Sequence, residues 1–140
     1  MESTLFKIHF ACSWFMTGLI WLIQIVHYPL FNKVGVAEFP LYHALHSKLI
    51  SFIVMPVMIF ELLSLAVLIM GFDDFHLLDK IILSSSLFII WATTFFFSVP
   101  AHNELANGFS EAQYQKLVWT NWFRTFFWTL KSLYLFKFLS

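Results

Sequence analysis

Charge is what this sequence has least of. Eight Lys and Arg and eight Asp and Glu make up only 11% of 140 residues and cancel to a formal net charge of zero. Nucleic-acid affinity rests largely on cationic side chains neutralising phosphates, and with no basic stripe here nucleic acid is excluded as a partner. Cysteine is rarer still: Cys12 stands alone. No intrachain disulfide can form, and Cys12, inside an apolar run, reads as a small buried apolar side chain. Four glycines and four prolines leave little material for long loops, and the ten-residue alternating segments of a membrane barrel are missing. No repeat or low-complexity segment stands out beyond an excess of Phe.

What the chain has instead is apolar length. Hydrophobic residues make up 60%, with 19 Phe, far above the share in soluble domains. Four runs carry the surplus: "FACSWFMTGLIWLIQIV" from Phe10, "LISFIVMPVMIFELLSLAVLIMGF" from Leu49, "IILSSSLFIIWATTFFFSV" from Ile81, and Leu117 to Leu139. Each is near the roughly 20 residues a helix needs to cross hydrocarbon at about 1.5 Å per residue. Backbone polar groups in lipid must be satisfied within the segment, which selects helices. The expectation is an all-α fold: a single domain over 1–140, a four-transmembrane-helix bundle with antiparallel neighbours. Its helices are placed near 8–28, 40–71, 80–99 and 111–138. The first run is longer than the apolar part of a secretory signal, so it is read as a span.

An even number of spans puts the N and C termini on the same side, with the "DDFHLLDK" loop from Asp73 to Lys80. Lys7, Lys80, Lys131 and Lys137 lie near that side, against Lys33, Lys48, Lys116 and a within-span Arg124 near the other. The near tie leans towards cytoplasmic termini. Two helices start ahead of their apolar runs. Pro40 suits a first helical position behind Glu38, and Ser110 with Gln113 has the form of a capping box after an Asn107-Gly108 turn, starting the last helix near Glu111.

The polar residues are patterned. At about 100° per residue, His9, Ser13, Thr17, Gln24 and His27 form one stripe on the first helix. His43 and Glu61 are a whole number of turns apart on the second, though Pro56 can kink it. Thr94 and Ser98 cluster on the third, and Asn121, Arg124, Thr125, Trp128 and Ser132 on the fourth. Polar side chains in lipid face a bundle interior or a wet cavity, so four stripes imply one shared interior. Glu61 and Arg124 stand out, because a mid-bilayer charge costs about 2.5–3.5 kcal/mol on the mildest scale. Two readings stay open for them: a pair that knits helices together, or a proton or anion site.

Four of the six histidines fall at one membrane face: His27, His43, His46 and His102. The bland reading is interfacial histidine near water. The sharper one is a ligand set for haem iron or a transition metal (Fe, Cu or Zn), or a proton relay. Glu61 lies roughly 22 Å along its helix from His46 and cannot join the same ion.

The segments "SVPAHN" and "TNWFRT" resemble the anthrone-oxygenase-like family of small four-helix membrane proteins, through Pro100-x-x-Asn103 and Asn121-x-x-Arg124. That resemblance implies an oxygenase acting on a lipid-soluble aromatic substrate. A weaker likeness, through "KIHFACSWFMTGL", is to the membrane-bound, haem-associated protoporphyrinogen oxidase family.

The expected function is therefore a membrane-embedded oxidoreductase or oxygenase acting on a hydrophobic small molecule. His102, Asn103, Asn121 and Arg124 would be its mechanistic core, with Glu61 as a further candidate. His27, His43, His46 and His102 would bind the metal or haem or move protons. The expected setting is the lipid bilayer, as a multi-pass protein of a bacterial inner membrane, with a homo-oligomer open. Two alternatives are a small oligomeric proton-coupled carrier using Glu61, Arg124 and the first stripe, and a non-catalytic structural or assembly protein.

Overall fold

Each apolar run becomes one long helix. The computed structural model describes residues 4–71 and 75–139, and these are helix and short turn without a strand among them. Helix α1 spans Thr4–Phe31, α2 Phe39–Gly71 and α3 Leu77–Leu105; all three are long and apolar enough to cross a membrane. Helix α4 spans Glu111–Leu135, and the turn Phe136–Phe138 follows it. Asp73 and Asp74 of the expected loop lie outside the described residues.

Two expected boundaries need correction. Helix α1 runs on to Phe31 and α3 to Leu105, past Pro29 and Pro100, where hydropathy suggested ends. The reason is the turn before each proline. Ile23–His27 and Thr94–Ser98 are π-helical: Tyr28 N–H bonds to the Ile23 carbonyl and Val99 N–H to that of Thr94. A proline ring clashes with the carbonyl four residues back and offers no N–H. One extra residue in the preceding turn lets the helix continue through it. Pro56 is carried inside α2, which stays one helix. Ser110 precedes α4 in extended conformation but makes no side-chain cap bond, so the anticipated capping box does not form. The Asn107-Gly108 turn does form, on the positive φ of Gly108.

Packing order differs from chain order. Helix α4 packs along α1 and α3, and α1 also packs along α2, while the consecutive α2 and α3 meet only sparsely. The result is a bundle with one open seam, between α2 and α3. Apolar contacts fill its two ends and middle: Phe6, Leu65, Leu83 and Leu135 near the termini, Met16, Ile20, Met58, Ile90 and Trp128 at mid-height, and Phe31, Phe39, Leu105 and Leu117 at the far end.

The polar stripes turn inward. Ser13, Thr17, Gln24, Glu61, Ser98, Asn121, Arg124 and Ser132 are all buried, whereas Phe52, Phe88, Phe96, Trp119 and Phe126 are 60–72% exposed. Lys131 is the correction here. It is fully buried, so it leaves the terminal side of the lysine count. With the buried Arg124 also left out, Lys7, Lys80 and Lys137 face Lys33, Lys48 and Lys116, and the count no longer favours either orientation.

At the terminal end Asp79 ties α3 to the chain's last turn. It accepts from the His76 backbone N–H at 2.9 Å, from the Tyr134 hydroxyl at 2.6 Å and from Lys137 at 2.6 Å. The hydrogen bond to Asp79 holds the Lys137 ammonium above the ordinary lysine range. Asp79→Ala is expected to lower stability by about 1–2 kcal/mol, the size of a lost helix N-terminal cap with a charge-assisted bond. Thermal unfolding in mild detergent checks this, and an unchanged midpoint would show that these contacts contribute nothing.

Candidate functional site

The π-helical turns decide which side chains reach the interior. One added residue rotates everything beyond it by roughly 100° on a helix of 3.6 residues per turn. The stripe on α1 therefore holds for His9, Ser13, Thr17 and Gln24, all buried, but not for His27, which is only partly buried. Tyr28 takes the inward place, 3% exposed. His27 swings towards α2 instead and meets His46, with ring centroids 4.1 Å apart at 31°. Uniform helical phase cannot reveal this; the Pro29 of "VHYPLF" is the only hint.

All four histidines of this end come together, as two pairs. His43 Nε2 lies 3.0 Å from His102 Nδ1, and His27 lies against His46. The second pair touches the first, with His46 and His102 centroids 6.4 Å apart. Phe31 packs its edge against both His43 and His46, and the Tyr28 hydroxyl reaches His102 Nε2 at 3.5 Å.

Beneath them is a cavity of about 230 Å³ between α2 and α3, whose lining includes Tyr28, His46, Ser47, Ser98, His102 and Arg124. Asn103 also lines it, from the exposed end of α3. Arg124 is 6% exposed. It donates to Ser98 Oγ at 3.2 Å and lies over the Trp128 ring at 5.4 Å. Among the described residues the ion pairs are Lys131 with Glu61 and Lys137 with Asp79, so no carboxylate neutralises this guanidinium. Its Nε, with His43 Nδ1 and Ser47 Oγ, is buried without a hydrogen-bond partner.

Of the two readings open for Glu61 and Arg124, a pair with each other does not form. Glu61 Oε1 is 2.5 Å from Lys131 Nζ, both side chains fully buried, and Trp128 Nε1 donates to Oε2 at 3.0 Å. Lys131 also donates to Ser13 Oγ at 2.8 Å. A shorter lysine contact nearer its own depth replaces a long reach by arginine. Glu61 does not line the cavity. Asn121 is also elsewhere, donating to Gln24 Oε1 at 2.6 Å and tying α1 to α4. Tyr28 and Lys131 are the residues sequence reading missed. Lys131 was detectable, since it lies three residues beyond Trp128 and seven beyond Arg124 on the same face.

The histidines do not fit a metal as they stand. One nitrogen of His43 and one of His102 face each other, the His27 and His46 rings lie against each other at a tilt, and among the described residues no three His, Cys, Asp or Glu side chains are placed to hold an ion. Haem fits no better, because a cavity of about 230 Å³ is below the roughly 300–1,000 Å³ of pockets for drug-sized ligands. No family model, no curated protein and no solved structure matches this chain.

Proposed function

We propose that the protein is a membrane-embedded oxidoreductase that takes a lipid-soluble molecule carrying an ionisable oxygen into the cavity between α2 and α3. All four helices cross the bilayer in this reading. The low average hydropathy of α4 comes from its buried Asn121, Arg124, Thr125, Lys131 and Ser132, while its outer face carries Trp119, Trp122, Phe123, Phe126, Leu130 and Leu133.

One observation carries the functional reading: a buried guanidinium without a carboxylate partner, lining a cavity beside a hydrogen-bonded histidine pair. A charge kept at that depth is stabilised by an anion arriving from outside the chain. The oxygen of a phenol or enol would sit against Arg124. Its O–H bond breaks, the electron pair stays on oxygen beside the guanidinium, and the proton passes to His102 Nε2. In the tautomer where His102 Nδ1–H donates to His43 Nε2, His102 Nε2 is unprotonated, with the Tyr28 hydroxyl 3.5 Å away, and can accept. Arg124 then stabilises the developing negative charge from a fixed position.

The resemblance to anthrone oxygenases supplies the second half. For an anthrone-like enol, the electron-rich anion reacts with dioxygen: the ring carbon that is CH₂ in the keto form becomes C=O, dioxygen is reduced, and with the proton returned from His102 water is the other product. Glu61, which a proton-coupled carrier would use, is held by Lys131 and Trp128, which favours the enzyme reading over the carrier.

Purified protein in detergent under air should convert anthrone to anthraquinone faster than the detergent buffer does. Arg124→Met and His102→Ala should each slow it at least tenfold, about 1.4 kcal/mol of lost transition-state stabilisation. Conversion at the buffer rate by the unaltered protein would reject the reading.

A further inference from the structure

We infer that the molecule received at Arg124 is an elongated single-chain amphiphile, an acidic phenol or enol head that carries the ring carbon to be oxidised, followed by one long hydrocarbon chain, which enters sideways from the bilayer and lays its chain along the α2–α3 seam. This rests on the reading of Arg124 and His102 as the groups that hold the head.

The same two helices carry a second hollow. One turn further along, a second groove of about 380 Å³ follows, lined by Leu62, Ala66 and Ile69 of α2 and Ser84, Phe88 and Trp91 of α3. The two follow one another along the same pair of helices. On α2 the lining runs Ile50, Val54, Met58, then Leu62, Ala66, Ile69; on α3 it runs His102, Ser98, Thr94, then Trp91. Steps of three and four residues keep the α2 row on a single helix face, and the α3 row follows it across the π-helical turn Thr94–Ser98. From Val54 to Ile69 the row covers roughly 22 Å at about 1.5 Å per residue, more than the half of a ~30 Å hydrocarbon core that one leaflet's chain occupies.

The chemistry of the seam is graded. The polar and cationic groups are confined to the His102 end, and the walls beyond Thr94 are almost wholly apolar, with Ser84 the one hydroxyl. A guanidinium at one end and an apolar groove running away from it complement a molecule with one acidic oxygen and one chain. A rigid polycycle would use the first cavity and leave the second to lipid. The sparse contact between α2 and α3 makes this the side from which a lipid-soluble molecule would enter.

The test compares three probes on the purified protein in lipid nanodiscs: a long-chain alkylphenol with a diazirine at its chain end, the same compound as the methyl ether, and a short-chain alkylphenol. The long phenol should label residues around Leu62, Ala66, Phe88 and Trp91, and the ether, which cannot give an anion, should label at least tenfold less. Ala66→Phe and, from the opposite wall, Ser84→Phe should each weaken the long phenol at least tenfold and leave the short one unchanged. If both filled-groove variants bind the long phenol normally, or labels scatter over the outer surface, the chain assignment is overturned while the head site stands. If the ether labels as well as the phenol, the acidic head is overturned. If neither phenol competes for the site, the reading of Arg124 and His102 falls with it.

Discussion

Lys131→Met is expected to destabilise the bundle by about 3–5 kcal/mol, because it leaves a buried carboxylate without its counter-charge. Both members of the pair are fully buried at 2.5 Å, and the pair is embedded in further bonds. Ser13 loses the donor it meets at 2.8 Å. Ser13 itself is tied to the His9 carbonyl at 3.0 Å, and His9 Nδ1 meets Ser64 Oγ at 2.7 Å, so one cation organises polar groups of α1, α2 and α4. The single loss differs from removal of the pair. Glu61→Leu with Lys131→Met removes both charges and should recover most of the lost stability, since well-packed apolar substitutes for a buried ion pair are often neutral or better. Equilibrium unfolding in mixed micelles, followed by tryptophan fluorescence, gives both numbers. A single variant as stable as the parent, or a double variant as poor as the sum of its singles, would show that the pair does not hold the helices together.

Much of this architecture was legible before any coordinates. Run length gives the four helices, and the phase of Gln24, Glu61, Asn121 and Arg124 gives an inward polar face, because the cost of polarity in lipid leaves few other places for it. The gathering of His27, His43, His46 and His102 follows from topology: each sits at the same end of its helix pair. The partners were not legible. Sequence leaves Glu61 and Arg124 open between a mutual pair and a proton or anion site, and it does not single out Lys131, although a lysine at that position on the inner face is a better-placed partner than a distant arginine. Nor could periodicity show the seam. Apolar residues on the outer surface and apolar residues facing a groove read alike, so Leu62, Ala66 and Phe88 carry no mark of the groove they line. The wide turns before Pro29 and Pro100 change side-chain phase with one residue, and only Tyr28 moving inward while His27 moves out reveals it.

Trp128→Ala is expected to cost about 3–5 kcal/mol in stability, as large-to-small changes of buried aromatics do. Trp128→Phe should cost less, about 1–3 kcal/mol, mainly for the oxygen of Glu61 left without its donor. The two variants separate the two jobs of this ring. Its N–H donates to Glu61 at 3.0 Å and belongs to the ion-pair cluster; its face lies 5.4 Å under the Arg124 guanidinium and forms the floor on which that cation rests. It is fully buried among Met16, Ile20, Met58 and Ile90, and its backbone carbonyl accepts from Thr17 at 3.2 Å, so the ring has little freedom to be elsewhere. A phenyl ring keeps a face for Arg124, and a methyl group does not; cation–π contact away from water is worth about 2 kcal/mol. Binding of a phenolic probe should therefore fall more than tenfold in Trp128→Ala and stay within a few-fold in Trp128→Phe, even though both variants lose stability. Equal losses of affinity would assign the effect to the N–H and the Glu61 cluster. Unchanged affinity in both would mean that the cation over the ring takes its position from Ser98 and the surrounding helices alone.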